Sequence, residues 1–308
     1  MEFQIIVNPA GASGAARRMW KRLEPVIKDS GCGYALHCPT AERGITEICR
    51  ELTSRGEQTA IILIGGDGTG NDAVNGITDF EKTAMGFIPC GTGNDLFRDM
   101  ELPHRAEKLL SIMLDGCVKH CADIGFVKCE IGGETVTRRF NISTDIGFGA
   151  ATCAYVNNSR IKALFNRLGI GRAVYLVEAL NVCYTSKPVP VAVSCGGRTR
   201  LYRKCLSVIA MNHSHDGGGF RFCPDAKFDD GRLDLCIGNG LTKAGFLRML
   251  PRAYLGRHMK LKGIYAERTE RVILKSSEPM WIHTDGDVLG KTKYAEIGLI
   301  PEKLRMLF

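Results

Sequence analysis

Two short glycine-rich stretches hold the residues best suited to chemistry: Gly65-Gly66-Asp67-Gly68-Thr69 and Gly91-Thr92-Gly93-Asn94-Asp95. Crowded glycines let a backbone approach a ligand closely and adopt angles closed to other residues. Each stretch follows an apolar run with the pattern of a buried parallel strand, residues 60–64 and 85–89. At a strand-to-helix junction the free N–H groups and the helix dipole favour an anion. An Asp in such a turn repels phosphate unless a divalent cation sits between them or the carboxylate orients a donor. A single turn of this kind is often a plain βα connection. Two of them close in sequence, each with an Asp and a Thr, point to a nucleotide-phosphate site.

The elements that would position these turns alternate along the first half. A strand over 3–8 runs into Asn8-Pro9-Ala10-Gly11-Ala12-Ser13-Gly14 and an amphipathic helix from Ala15 to about Lys28. A strand over 34–38 precedes Thr40-Ala41-Glu42-Arg43, which opens a helix through Arg55. Thr40 is either its N-cap or a ligand contact. Strand 60–64, helix 69–77, strand 85–89 and helix 104–115 follow. This order predicts an α/β domain with a parallel sheet, helices on both faces and ligands at the carboxyl ends of the strands. From about Cys117 short strands take over, over 118–127, 138–143, 189–195, 206–212, 233–238, 271–275 and 280–284. They predict a β-sandwich-like second domain, interrupted by a helical insertion over about 150–184. The expected division is a nucleotide-binding domain over 1–122 and a β-rich substrate domain over 123–294, with a cleft between them.

The 308 residues favour two domains, and 44% hydrophobic content suffices for sizeable cores. No run approaches ~18 uninterrupted apolar residues, so no membrane-spanning helix is expected. No basic region precedes an apolar stretch at the N-terminus, so no signal peptide is expected either. The 13 cysteines are scattered without a C-x-x-C pair, which suits reduced thiols in a cytoplasmic protein. Neither turn is the Gly-x-Gly-x-x-Gly dinucleotide fingerprint, and there is no Gly-x-x-x-x-Gly-Lys-Ser/Thr loop. The net charge of +8 suits acidic partners such as phosphates or a membrane surface.

The block from Gly65 to Gly76, Gly-Gly-Asp-Gly-Thr-Gly-Asn-Asp-Ala-Val-Asn-Gly, followed by Ile88-Pro89-Cys90-Gly91-Thr92-Gly93-Asn94-Asp95, resembles the soluble diacylglycerol kinase family. That family includes the bacterial lipid kinases and the sphingosine and ceramide kinases. Asn8-Pro9…Gly14 and Thr40-Ala41-Glu42-Arg43 resemble its two other nucleotide-side motifs, and the resemblance runs the whole chain, more weakly in the second half. It implies an ATP-dependent lipid kinase that moves the γ-phosphoryl to a lipid hydroxyl, with diacylglycerol giving phosphatidic acid as the leading case. Asn8, Thr40, Gly66, Asp67, Thr69, Thr92 and Asp95 would then surround the ATP phosphates. Asp67, Asp95 and Asp123 would hold Mg²⁺, directly or through water. The final strand, over about 295–308, would partly return to the first domain.

Trp281-Ile282-His283-Thr284-Asp285-Gly286-Asp287 resembles the family's C-terminal Asp-Gly-Glu, whose Glu is the general base. Here Asp287 would take the proton while Asp67 serves at the phosphates, and the shorter arm withdraws the carboxylate by roughly one C–C bond. Asp72 likewise stands where a Glu is usual after Asn71. The segment from Gly217 to Asp234 resembles one that holds a structural magnesium, here through Asp230 and the backbone carbonyls of Lys227 and Arg232.

Plainer readings stand beside several of these. Asp123 could simply hydrogen-bond a turn, and Asp230-Gly231 could be an Asp-Gly hairpin turn. His213-Ser214-His215-Asp216 invites a metal but lacks a matching Cys or Glu array. Basic and apolar residues mingle over 160–172, with Lys187 beyond, and over 252–262. They are either solvated helix faces or, with a lipid substrate, a peripheral contact with an anionic membrane. A nucleic-acid partner is not expected, and a homodimer is left open. The rivals are an NAD kinase-like enzyme acting on a soluble substrate and a non-catalytic nucleotide- or lipid-binding protein.

Overall fold

The structure is a computed structural model that describes residues 2–9, 14–91, 93–100, 102–159 and 173–308. Four strands of the first half, β1 (Phe3–Val7), β2 (Tyr34–His37), β3 (Thr59–Gly65) and β4 (Thr83–Pro89), pair in the order β4-β3-β1-β2, every pair parallel. Ile61 to Ile64 are buried throughout, as a strand covered on both sides requires. The helices are α1 (Ala15–Ser30), α2 (Ile45–Thr53), α3 (Asp67–Gly76) and α4 (Ala106–Met113). Met113 of α4 packs on Gly86, whereas Gly70 of α3 lies by Phe87. Successive residues of a strand point to opposite sides, so these two helices lie on opposite faces of β4.

The second half is β-rich. β5 (His120–Ile131), β6 (Glu134–Phe140), β7 (Ser143–Gly147), β8 (Val189–Cys195), β9 (Arg198–Met211), β10 (Leu233–Asn239), β11 (Ile264–Thr269), β12 (Arg271–Thr284) and β13 (Asp287–Met306) pair antiparallel among themselves. Among the described residues three helices accompany them: α5 (Phe148–Asn158), α6 (Ala173–Thr185) and α7 (Lys243–Tyr254). β8 has the bounds read from the sequence, β9 is longer than its apolar patch, and the expected strands 271–275 and 280–284 are one strand. β11 was not expected, and α7 overlaps only the start of the 252–262 stretch. Pro251 inside α7 hides that helix from a pattern reading, while Thr242 caps it by accepting the Gly245 N–H.

The two halves share one 13-stranded sheet. The end of β13, Arg305–Met306, runs parallel to Ala84–Met85 of β4. Leu304, Met306, Leu307 and Phe308 are buried in the same core as β1 and β3. β5 pairs with β13 over both cores: Ala122 and Ile124 pack in the first, Val127 and Cys129 in the second. This ribbon makes the domain junction a continuous piece of sheet rather than a flexible linker.

Candidate active site at the domain junction

The two glycine turns are in backbone contact. The Gly65 carbonyl accepts the Cys90 N–H at 2.8 Å. A Cβ on Gly91 would lie 2.8 Å from the Gly66 Cα, so a side chain there would push the turns apart. Thr69, on the first turn of α3, lies 3.3 Å from Asn8 Nδ2 at the end of β1. Asn8, Gly66, Thr69 and the Gly91 turn therefore form one surface at the carboxyl ends of β1, β3 and β4. Thr92 lies outside the described residues, as do the residues 10–13 of the first turn.

Asp67, the first residue of α3, reaches across to the second turn. Its Oδ2 accepts the Asp95 N–H at 3.3 Å and its Oδ1 lies 3.5 Å from the Leu96 N. These bonds cap the 3₁₀ turn Asp95–Phe97, which the left-handed Asn94 introduces at φ 52°. Burial, with the Asp95 charge adding to it, pushes the Asp67 carboxyl up to about 6. Asp95 is only 3% exposed. Its Oδ1 accepts from Arg98 Nε at 2.7 Å and its Oδ2 from the Gly218 N–H at 2.6 Å. The glycine loop 217–219 of the second domain thus closes on the carboxylate of the first.

A second clasp lies beside it. Asp99 accepts from the Ser214 N–H at 2.6 Å, from the Ser214 hydroxyl at 2.5 Å and faces His215 Nδ1 at 2.5 Å. Burial would raise the Asp99 carboxyl, but His213 and Ser214 hold it well below the usual range. His213 is buried and stacks on Phe228 at 5.2 Å. Through Asp99 the 213–215 segment joins the domains. Next to it, Asp216 accepts from the Ser143 hydroxyl at 2.6 Å, and burial pushes it up to about 7.

The C-terminal Asp-Gly-Asp splits into two functions. Asp285 and Gly286 have φ of 47° and 85°, and they form the two-residue turn joining β12 to β13. Two positive φ values match a type I′ hairpin, for which Asp-Gly is a favoured pair. The Asp285 carboxylate accepts the N–H groups of Asn141, Ile142 and Ser143 at 2.8, 2.9 and 2.9 Å, and Asn71 Nδ2 at 2.8 Å. It is a structural anchor between α3, β7 and the hairpin. Asp287, the first residue of β13, stays accessible, with its side chain 60% exposed and 3.3 Å from Arg138 Nη2. It lies beside Asp72, five residues along α3 from Asp67, or about 7.5 Å along the helix axis.

Other predicted residues have protein partners. Thr40 accepts the Arg43 N–H at 3.1 Å within its own turn, while α2 starts at Ile45 behind Gly44, so Thr40 is not the helix cap. Asp123 is bonded to Lys303 Nζ at 2.5 Å and to the Gly231 N–H at 2.7 Å. The charges acting most on Asp67 are those of Asp95 and Asp285, and Asp123 instead faces the 228–231 loop. In that loop Asp230 accepts the Arg232 N–H at 3.1 Å and pairs with Arg268, Arg232 pairs with Glu270 at 3.3 Å, and Lys227 sits just before it. Among the described residues, no three His, Cys, Asp or Glu side chains are grouped to hold a metal. The basic stretch 160–172 lies outside the described residues.

Glycine turns capped by Asp67 thus meet at the junction of an α/β and a β-rich domain. The chain is a member of the diacylglycerol kinase family: residues 2–127 match the diacylglycerol kinase catalytic domain, and residues 143–308 the YegS C-terminal NAD kinase beta sandwich-like domain. It is thus a lipid kinase-type phosphotransferase. Among relatives, it is 26% identical over 290 residues to a diacylglycerol kinase of Bacillus subtilis (strain 168), covering 93% of this chain and 90% of that one. A diacylglycerol kinase of Staphylococcus haemolyticus is 26% identical over 94% of this chain and 82% of its own. The crystal structure of a diacylglycerol kinase from Bacillus anthracis superposes with a TM-score of 0.71 at 20% identity, over 100% of this chain and 96% of that one. An NAD kinase from Archaeoglobus fulgidus in complex with ATP reaches 0.52 at 13% identity, over 100% and 94%. The structural likenesses establish the fold.

The resemblance implies magnesium, and the donors present bear on that. A Cβ built on Gly93 would lie 2.7 Å from Asp67 Oδ2 and 3.5 Å from Asp95 Oδ2, so both carboxylates flank one glycine. Two close acids with a raised Asp67 suit a cation completed by phosphate oxygens and water, the usual habit of Mg²⁺. They do not suit a cage made of protein alone.

Proposed function

We propose that this chain transfers the γ-phosphoryl of ATP to a lipid hydroxyl, with diacylglycerol giving phosphatidic acid. The observation that carries this reading is the contact of the two glycine turns under the Asp67–Asp95 pair, at the start of the helix beside whose Asp72 the second domain's hairpin presents Asp287. Asn8, Gly66, Thr69 and the Gly91 turn offer backbone and hydroxyl groups to the phosphates. Magnesium, when bound at Asp67 and Asp95, neutralises phosphate charge. Asp287 accepts the hydroxyl proton as the acceptor oxygen bonds to phosphorus, and the electron pair of the broken P–O bond leaves with ADP. Such transfers depend mainly on positioning and charge neutralisation, which few side chains can supply.

The lipid reading draws on the exposed apolar side chains of the second domain. Tyr155 of α5, with Leu176, Leu180 and Tyr184 on α6, face outward. We place the anionic membrane contact on this side, near the acceptor. The test is transfer of labelled phosphate from ATP into the organic phase from diacylglycerol-containing vesicles, with NAD as a parallel acceptor. Lipid label that Asp67→Ala abolishes, with an unchanged circular dichroism spectrum, supports the reading. Label in NAD alone, or nucleotide binding with no product, refutes it.

A further inference from the structure

Arg138 has a position that folding alone does not account for. It lies on β6, and one terminal nitrogen, Nη2, faces three oxygens: Asn71 Oδ1 at 3.4 Å, Asp72 Oδ1 at 3.4 Å and Asp287 Oδ2 at 3.3 Å. Asn71 and Asp72 belong to α3 of the first domain, and Asp287 begins β13 of the second. Asn71 also donates to Asp285, so a single network grips both sides of the hairpin turn. The Asp285 half fixes the backbone. The Arg138 half acts on the side chain that projects from it.

Exposure decides what the arginine is for. Asp287 and Asp72 are 60% and 45% exposed, and Arg138 is 26% exposed. Ion pairs this open to water contribute little to stability, about 0–1 kcal/mol being usual. An exposed Asp on a strand end is nonetheless free to sample its rotamers, and a reacting group gains from being held. The Nη2 of Arg138 meets both carboxylates, so one cation links Asp72 and Asp287. Asp72 and Asp287 are also the two positions where Asp stands in place of the Glu of the resembled pattern, and both meet this one side chain.

We propose that Arg138 is a positioning residue: it holds the Asp287 carboxylate toward the acceptor hydroxyl, with Asp72 as its second anchor. This rests on the reading that Asp287 takes the proton. Arg138 acts through Asp287, the partner its Nη2 meets at 3.3 Å.

The experiment is a double-mutant cycle on the full chain, with Arg138→Met, Arg138→Lys and Asp72→Asn made in the native and Asp287→Asn backgrounds. In the native background Arg138→Met lowers kcat on the order of 10- to 100-fold. Its KM for ATP stays within about twofold and its melting temperature within about 2 °C, because the pair is exposed. Arg138→Lys recovers part of kcat, and Asp72→Asn costs less than Arg138→Met. With Asn at 287, Arg138→Met changes kcat by less than about twofold, since nothing is left to position. The Arg138→Met and Asp72→Asn pair tests the second anchor: a double variant no slower than Arg138→Met alone supports it, and losses that add overturn it. Equal losses in both backgrounds of an active enzyme, or a KM effect with kcat unchanged, overturn this inference and leave the kinase reading standing. No lipid phosphorylation by the native protein overturns both.

Discussion

Replacing Asp285 by Ala separates anchoring from chemistry within a three-residue motif. The lost carboxylate accepts four hydrogen bonds, three from consecutive backbone N–H groups of Asn141, Ile142 and Ser143, all of them buried residues. Hydrogen bonds to a charged group contribute about 1.5–3 kcal/mol each, and a buried donor left unsatisfied costs about 1–3 kcal/mol. Contributions converging on one group do not add, and Asn71 Nδ2 keeps its bond to the Arg139 carbonyl. The expected loss for Asp285→Ala is therefore about 4–6 kcal/mol, near the total stability of a marginal domain. Asp285→Asn keeps one acceptor oxygen and should lose about half as much. Asp287→Ala, two residues on, removes only an exposed ion pair and should stay within about 0.5 kcal/mol. Urea denaturation followed by circular dichroism measures all three, and phosphate transfer is assayed on the same samples. Equal destabilisation by the 285 and 287 substitutions would refute the anchoring argument. So would an Asp285→Ala variant as stable as the native chain.

Three other outcomes follow from the same geometry. Gly91→Ala sets a methyl 2.8 Å from the Gly66 Cα, where backbone meets backbone, and should weaken ATP binding at least tenfold by isothermal titration. Gly68→Ala meets nothing within 4 Å and lies in α3, so the fold should gain up to about 1 kcal/mol; if its backbone faces phosphate, KM for ATP rises nonetheless. Asp216 is raised from 3.8 to about 7 by burial, against the Ser143 bond and with Asp95 and Asp285 adding to it. The folded state therefore holds the proton more tightly than the unfolded one between those values, and stability falls as pH rises through that window. The melting temperature should drop between pH 5 and pH 8, and Asp216→Asn should flatten that drop.

What the sequence decided by itself is local. The apolar runs before Gly65 and Gly91 and the glycines themselves follow from sterics and burial that act over a few residues. They were legible, together with the alternating pattern of the first half and the motif block that gives the family. α7 was not, because Pro251 breaks its pattern, and the long strands of the second half were read short because polar residues alternate on their exposed sides.

Only the tertiary structure assigned partners. Nothing near Asp285 in the chain shows that the N–H groups of 141–143 converge on it, nor that Asp99 waits for Ser214 and His215. The same holds for Asp123, whose carboxylate goes to Lys303 and Gly231, and for Asp287, which meets Arg138 and through it Asp72. A carboxylate looks the same in sequence whether it anchors a turn, pairs with a cation or faces a substrate. Which of these it does is set by the donors that a distant strand brings within about 3 Å, and hydrogen bonding falls off too steeply beyond that range for spacing alone to foretell it.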